Sequence, residues 1–164
     1  MTRRTGSSVA LPRGTSSTRS GEALRALVLE IFRLNGALLR HGAALTAPLG
    51  QTQARWQVIG AVAEATRTVP QIARRMGMSR QSVQRVADLL VTDGVLRFEA
   101  NPDHARSPLL RLTAEGERIE ARLNDIGRSW AAAIADGLRP AELERTVDTI
   151  REVIRRLETS GGTR

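Results

Sequence analysis

Cysteine is absent from this chain, so a disulfide framework, a thiolate zinc site and a thiol redox sensor are all excluded. Lysine is absent as well: all 25 basic residues are arginine, set against 17 acids for a net charge of +8. Histidine is reduced to His41 and His104, too few and too far apart for a metal cluster, and no metal or other cofactor is expected. No apolar run approaches the length of a membrane span, and the N-terminus lacks the apolar stretch of a signal peptide, so a soluble, cytoplasmic protein without membrane association is expected. There is no Gly-rich phosphate loop and no recognisable catalytic spacing of Ser, His and acids, which argues against an enzyme.

What is present is a local positive field. An Arg-only basic set suits phosphate and guanine edges, although a GC-rich bacterial coding bias produces the same composition. Distribution is more informative than the sum. Residues 67–111 hold eight Arg against Asp88, Asp93, Glu99 and Asp103, whereas the balance beyond Leu112 is slightly negative. A protein that meets phosphate with one face needs such a local charge.

At 164 residues one domain with appended helices is expected. Residues 1–20 are rich in Ser, Thr, Gly and Arg and poor in large apolar residues, which predicts a disordered basic arm. Residues 21–164 are then a single domain. Leu24, Leu27, Val28, Ile31, Phe32 and Leu38 recur at three- and four-residue steps and predict a long amphipathic helix over 21–46, broken by Pro48 and Gly50. A second helix over 52–65 is capped by Thr52 and carries Trp56, Ile59, Val62 and Ala63; a short third runs from Val69 to Met76 behind Thr68. The fourth starts at Ser79 and stops at Gly94. Val95–Phe98 and Leu109–Leu112 read as strands around the loop 101–106. Two further helices over 114–158, with Leu123, Trp130, Val147 and Ile154 in four-three alternation, offer seams for a partner helix. The fold class is mainly α with a small antiparallel β wing.

Ala73, Gly77 and Val83 occupy the small, turn-forming and apolar positions of a helix-turn-helix, supported by Ile72, Met76 and Val86. On the fourth helix Val83, Val86, Ala87 and Leu90 share one side, and Arg80, Gln81, Gln84 and Arg85 share the other. Arg pairs with guanine and Gln with adenine in the major groove, and these four lie in the N-terminal half of the helix with no acid before Asp88. Ser79, Ser82 and Thr68 are expected phosphate partners at helix N-termini, with Arg74 and Arg75 beside them, although capping and solvation explain these residues equally well. His41, Trp56 and Trp130 are candidate ligand-cleft residues, with core packing the competing explanation for the tryptophans.

Three phrases, "QARWQVIGAVAEA", "TVPQIARRMGMSRQSVQRVADLLVTDGVLRFEANPD" and "LRLTAEG", make residues 51–116 resemble the winged helix-turn-helix of the MarR family of bacterial transcription regulators. The resemblance implies a homodimer on double-stranded DNA, dimerisation helices over 21–46 and 114–158, and a recognition helix from Ser79. It also implies a basic wing with Arg106 at its tip, and often a small-molecule effector site between the dimer helices and the winged module. One departure stands out: the Asp that usually sits two residues before the wing Arg is replaced by His104, with Asp103 displaced by one, and Pro108 stands where a charge is common. A homodimeric repressor binding a pseudo-palindromic operator is therefore the leading expectation. A winged-helix protein-interaction module without specific DNA binding is the alternative, supported by the altered wing.

Overall fold

The computed structural model describes residues 18–161, so the expected arm lies outside them except at its last residues. There the expectation needs correcting: helix α1 spans Arg19–Thr46, because the Thr18 side chain accepts the Gly21 N–H at 3.1 Å and caps the helix two residues before the anticipated start. A 3₁₀ turn at Ala47–Leu49 closes on Gly50. Helix α2 (Gln53–Glu64) follows behind the Thr52 cap. Strand β1 (Arg67–Thr68) then leads into α3 (Val69–Met76) and α4 (Arg80–Thr92). Strands β2 (Leu96–Glu99) and β3 (Leu109–Leu112) form the wing, and α5 (Ala114–Ala135) and α6 (Pro140–Gly161) complete the chain.

The sheet order is β1-β3-β2, antiparallel throughout, with Phe98 opposite Leu110 and Arg67 opposite Leu110 on the other edge. Sequence periodicity did not anticipate β1. Two residues carry no period, and their strand identity comes only from pairing with β3.

Helix α2 is the hub, packing against α1, α3, α4, α5 and β3. Its Val58, Ile59 and Val62 meet Ile72, Val83, Leu90, Leu96, Leu110 and Leu123 in one continuous core. Burying each of these larger side chains is worth roughly 1.5–3 kcal/mol. The anticipated inner side of α4 is the buried one, with Val83, Val86, Ala87 and Leu90 all in the core. Ala63, placed by periodicity with the apolar residues of α2, is exposed.

The turn between α3 and α4 is set by Gly77 at φ 63°, a left-handed conformation that glycine adopts without steric cost. The Met78 N–H then returns to the Ala73 carbonyl at 3.0 Å. At the other end of α4, Thr113 ties three elements together. Its hydroxyl donates to the Gly94 carbonyl at 2.6 Å and accepts the Gly116 N–H at 3.1 Å, while its own N–H donates to Val95 at 3.1 Å.

The outer helices are different in kind. No described residue of α6 is buried, and only Gly42 and Thr46 are buried on α1. Phe32 and Leu157 are 70% and 68% exposed. Among the described residues no helix is long and apolar enough to cross a membrane.

Two glycine substitutions should therefore differ in sign. A Cβ on Gly116 would run into the Val95 carbonyl oxygen, whereas one on Gly60, inside α2, meets nothing within 4 Å. Gly116→Ala is expected to lower unfolding free energy by about 1–3 kcal/mol, and Gly60→Ala to raise it by roughly 0.5–1 kcal/mol through helix propensity. Urea denaturation of both variants checks this; equal effects would refute the packing described for Gly116.

Candidate nucleic-acid interface

Capping fixes where α4 begins. Ser79 Oγ accepts the Ser82 N–H at 3.0 Å and lies 2.7 Å from Ser82 Oγ, so the two hydroxyls are bound to each other as well as open to solvent. Free amides at that helix end favour an anion. The first turns then project Arg80, Gln81, Gln84 and Arg85, all exposed. Gln84 Nε2 donates to Asp88 Oδ1 at 2.7 Å, so the acid one turn along holds this amide in place.

Arg80, Gln81 and Gln84 share one concavity of about 570 Å³ with Arg106, Ser107 and Phe98. Helix and wing tip thus form a single face. Phe98 and Pro70, also in its wall, were not expected there. Phe98 is 37% exposed at the base of the wing, a position set by its register opposite Leu110. An outward aromatic in a strand was the available signal.

The wing is ordered by its own polar contacts. Asn101 Nδ2 donates to the Ser107 carbonyl at 2.9 Å, and its Oδ1 accepts the Asp103 N–H at 3.1 Å. One side chain therefore closes the loop that carries Arg106. The sequence shows a departure at Asp103 and His104 and gives no sign of this role for Asn101. Further down, Arg97 stands directly opposite Arg111, a like-charge pair that would push the strands apart. Glu99 resolves it, accepting from Arg97 Nη2 at 2.9 Å and from Arg111 Nε at 2.7 Å. Hydrogen bonds from Arg97 and then Arg111 hold the Glu99 carboxyl below its usual pKa.

Other expected contact residues are distributed unevenly. Arg74 is exposed and makes no ion pair among the described residues. Arg75 is held by Glu64 at 2.5 Å, and Arg67 approaches the same carboxylate at 3.5 Å. The Arg75 hydrogen bond lowers the Glu64 pKa. Thr68 needs correcting as a phosphate partner. It is 6% exposed and pairs with Leu109, and its hydroxyl oxygen accepts the Gln71 N–H at 3.4 Å while Gln71 Oε1 accepts the Thr68 N–H at 2.8 Å. Thr68 itself is buried while Gln71 is exposed, so the Thr68 hydroxyl serves the start of α3 from within the fold.

Away from this face, α1, α2, α5 and the end of α3 border an open cleft of about 560 Å³ lined by Trp56 and Trp130, among others. His41, expected with them, is exposed on α1 and is not part of its wall. Among the described residues no cluster of His, Cys, Asp and Glu could hold a metal ion.

A helix-turn-helix followed by a two-stranded wing and flanked by long helices defines a winged helix-turn-helix protein. The sequence profile of the MarR family matches residues 49–107. The uncharacterized protein Rv2011c of Mycobacterium tuberculosis is 44% identical over 128 residues, covering 78% of this chain and 90% of that protein. This chain belongs to the MarR family, whose members are transcription regulators rather than enzymes. Solved structures share the fold at low identity. A mutant MarR from E. coli complexed with operator DNA superposes at TM-score 0.67 with 21% identity, covering 80% of this chain and 96% of that one. CouR from Rhodococcus jostii bound to p-coumaroyl-CoA superposes at TM-score 0.71 with 18% identity, covering 77% of this chain and 90% of that one.

Glu99→Gln should loosen the wing, since an amide cannot neutralise two facing guanidinium groups. Faster amide exchange in β2 and β3 is expected at neutral pH. Because folding depresses the Glu99 pKa, its contribution is present above the ordinary carboxylate range and is lost as pH falls through the lowered value. The difference between variant and wild type should therefore shrink toward acid pH in hydrogen-exchange NMR; a difference that grows would contradict the pairing.

Proposed function

We propose that this chain is a homodimeric repressor that reads a pseudo-palindromic operator with α4 and the wing, and is released from DNA by a small ligand in the cleft between α1, α2 and α5. The observation that carries the reading is the shared concavity of Arg80, Gln81, Gln84 and Arg106. Three groups able to pair with base edges sit on one helix, and a wing-tip guanidinium lies within the same surface. The interior side of α4 is wholly engaged in the core, so the reading side is the only one free to meet a groove. The complex of an E. coli MarR with operator DNA supports DNA as the partner, and the complex of CouR with p-coumaroyl-CoA supports an effector.

Dimerisation through α1 and α6 follows from what they leave uncovered. Leu24, Val28 and Phe32 on α1 and Val147, Ile154 and Leu157 on α6 are exposed. An apolar patch of that extent needs a cover. Two helices with seams in four-three alternation are suited to meet their own copies, and a dimer sets two α4 helices about one helical turn of DNA apart.

Arg80→Ala and Gln84→Ala are each expected to weaken binding to an inverted repeat in the gene's own upstream DNA by about 1–3 kcal/mol, with little change on unrelated DNA. Gel shift and footprinting check this; unchanged operator affinity in both variants would sink α4 as the reading helix. Phe32→Asp combined with Val147→Asp should shift the protein from dimer to monomer in sedimentation equilibrium while leaving the winged module folded. A dimer that persists would assign the interface elsewhere.

A further inference from the structure

The chemistry of the cleft walls narrows the effector, on the reading above that an effector binds there. Both tryptophans of the chain line it, together with Leu38, Leu45 and Met76. Trp56 lies against the backbone of α5, where a Cβ at Gly127 would come within 2.9 Å of its ring. The only charged side chains in the wall are Glu64 and Glu120. In a chain with 25 Arg and 17 acids, a cavity holding carboxylates and no arginine runs against composition. Glu64 is already paired with Arg75 and Arg67, whereas Glu120 makes no ion pair among the described residues. One carboxylate in the wall is therefore uncommitted.

Two further features mark the wall. Gln53 Oε1 and Trp130 Nε1 are buried without hydrogen-bond partners, and both residues line the cleft. Such groups are costly unless something meets them. The second is Gly60, also in the wall. It sits inside α2, where glycine costs about 1 kcal/mol relative to alanine. It has no positive φ and no neighbour within 4 Å of a Cβ. Neither backbone conformation nor close packing accounts for it; the bare position leaves room in the cleft.

We propose that this cleft binds a planar heteroaromatic cation, with its ring against Trp56 and Trp130 and its charge at the Glu120 carboxylate. Indole faces attract cations, most strongly where water is excluded. An aromatic carboxylate or an acyl-CoA would instead bring its negative charge beside Glu64 and Glu120, with no basic group in the wall to receive it.

Because the chain's only tryptophans are both in the cleft, intrinsic fluorescence of the full-length protein reports on it directly. Protonated 4-aminoquinoline should quench that fluorescence saturably, with calorimetry giving the same Kd, and salicylate should bind at least about tenfold more weakly. Gly60→Leu, which fills the cleft, should abolish binding. Glu120→Gln should weaken the cation by about tenfold or more and leave circular dichroism unchanged, which keeps the test open if Gly60→Leu misfolds. Tighter binding of salicylate, blocked by Gly60→Leu, would overturn the cationic class while keeping the cleft as the effector site. No binding of either probe would overturn both. Cation affinity indifferent to Glu120→Gln would overturn the role given to that carboxylate.

Discussion

The first turn of α5 rests on the carbonyl of Val95, and only a glycine at position 116 allows that approach. Around it, the Thr113 hydroxyl reaches back to Gly94, the residue that stops α4, and also caps α5. The end of the proposed recognition helix, the start of β2, the end of β3 and the start of α5 are thereby fixed to one another within a few residues. Everything that faces outward depends on this junction. The angle at which α4 projects Arg80 and Gln84, the direction of the wing, and the path of α5 toward the outer helices cannot change independently. Leu96 and Leu110 fill the space beneath it, so the polar junction is backed by a dry core.

The allocation of acids decides which arginines are left to act. Glu64 takes Arg75 and Arg67, Glu99 takes Arg97 and Arg111, and Asp93 takes Arg55 at 2.7 Å. Each of these pairs is partly exposed and contributes little stability, on the order of 0–1 kcal/mol. Their effect is on charge distribution. Arg74, Arg80, Arg85 and Arg106 make no ion pair among the described residues, and three of them stand on α3 and α4. The positive field counted over residues 67–111 is thus divided between arginines held in the scaffold and arginines open to an anionic partner. Composition reports only their total.

Local chemistry made the helices legible. Thr52, Thr68, Ser79 and Thr113 each accept the backbone N–H that a cap should, and Gly77 and Gly94 take the left-handed conformation expected of helix stops. What sequence left hidden is what depends on distant partners. β1 exists because Leu109 and Leu110 lie beside it, and Phe98 enters the concavity because of its register across the wing. Thr68 illustrates the limit within a correct reading: its capping role was visible, but its burial comes from β3 and turns a candidate phosphate partner into support. The same limit explains Asn101. Its bonds to Asp103 and Ser107 become apparent only once the loop is closed, whereas family pattern directs attention to position 104.

The cleft and the concavity between α4 and the wing share one helix, α3, and this bears on how one could influence the other. Glu64 and Met76 belong to the cleft wall, yet Glu64 holds Arg75 on α3, and Met76 ends the helix that Gly77 turns into α4. An occupant pressing on this wall therefore acts one residue from the turn that sets the angle of α4. Affinity for the occupant must differ between the arrangement that fits DNA and the one that does not, since a ligand that binds both equally shifts nothing. Met76 belongs to α3, whereas Glu120 and Trp130 belong to the α5 side of the cleft and Gln53 to the α2 side. A ligand anchored there and in contact with Met76 would couple the distance between α5 and α3 to its own binding energy. The junction at Thr113 and Gly116 ties the start of α5 to the far end of α4, so the proposed ligand would bear on both ends of that helix.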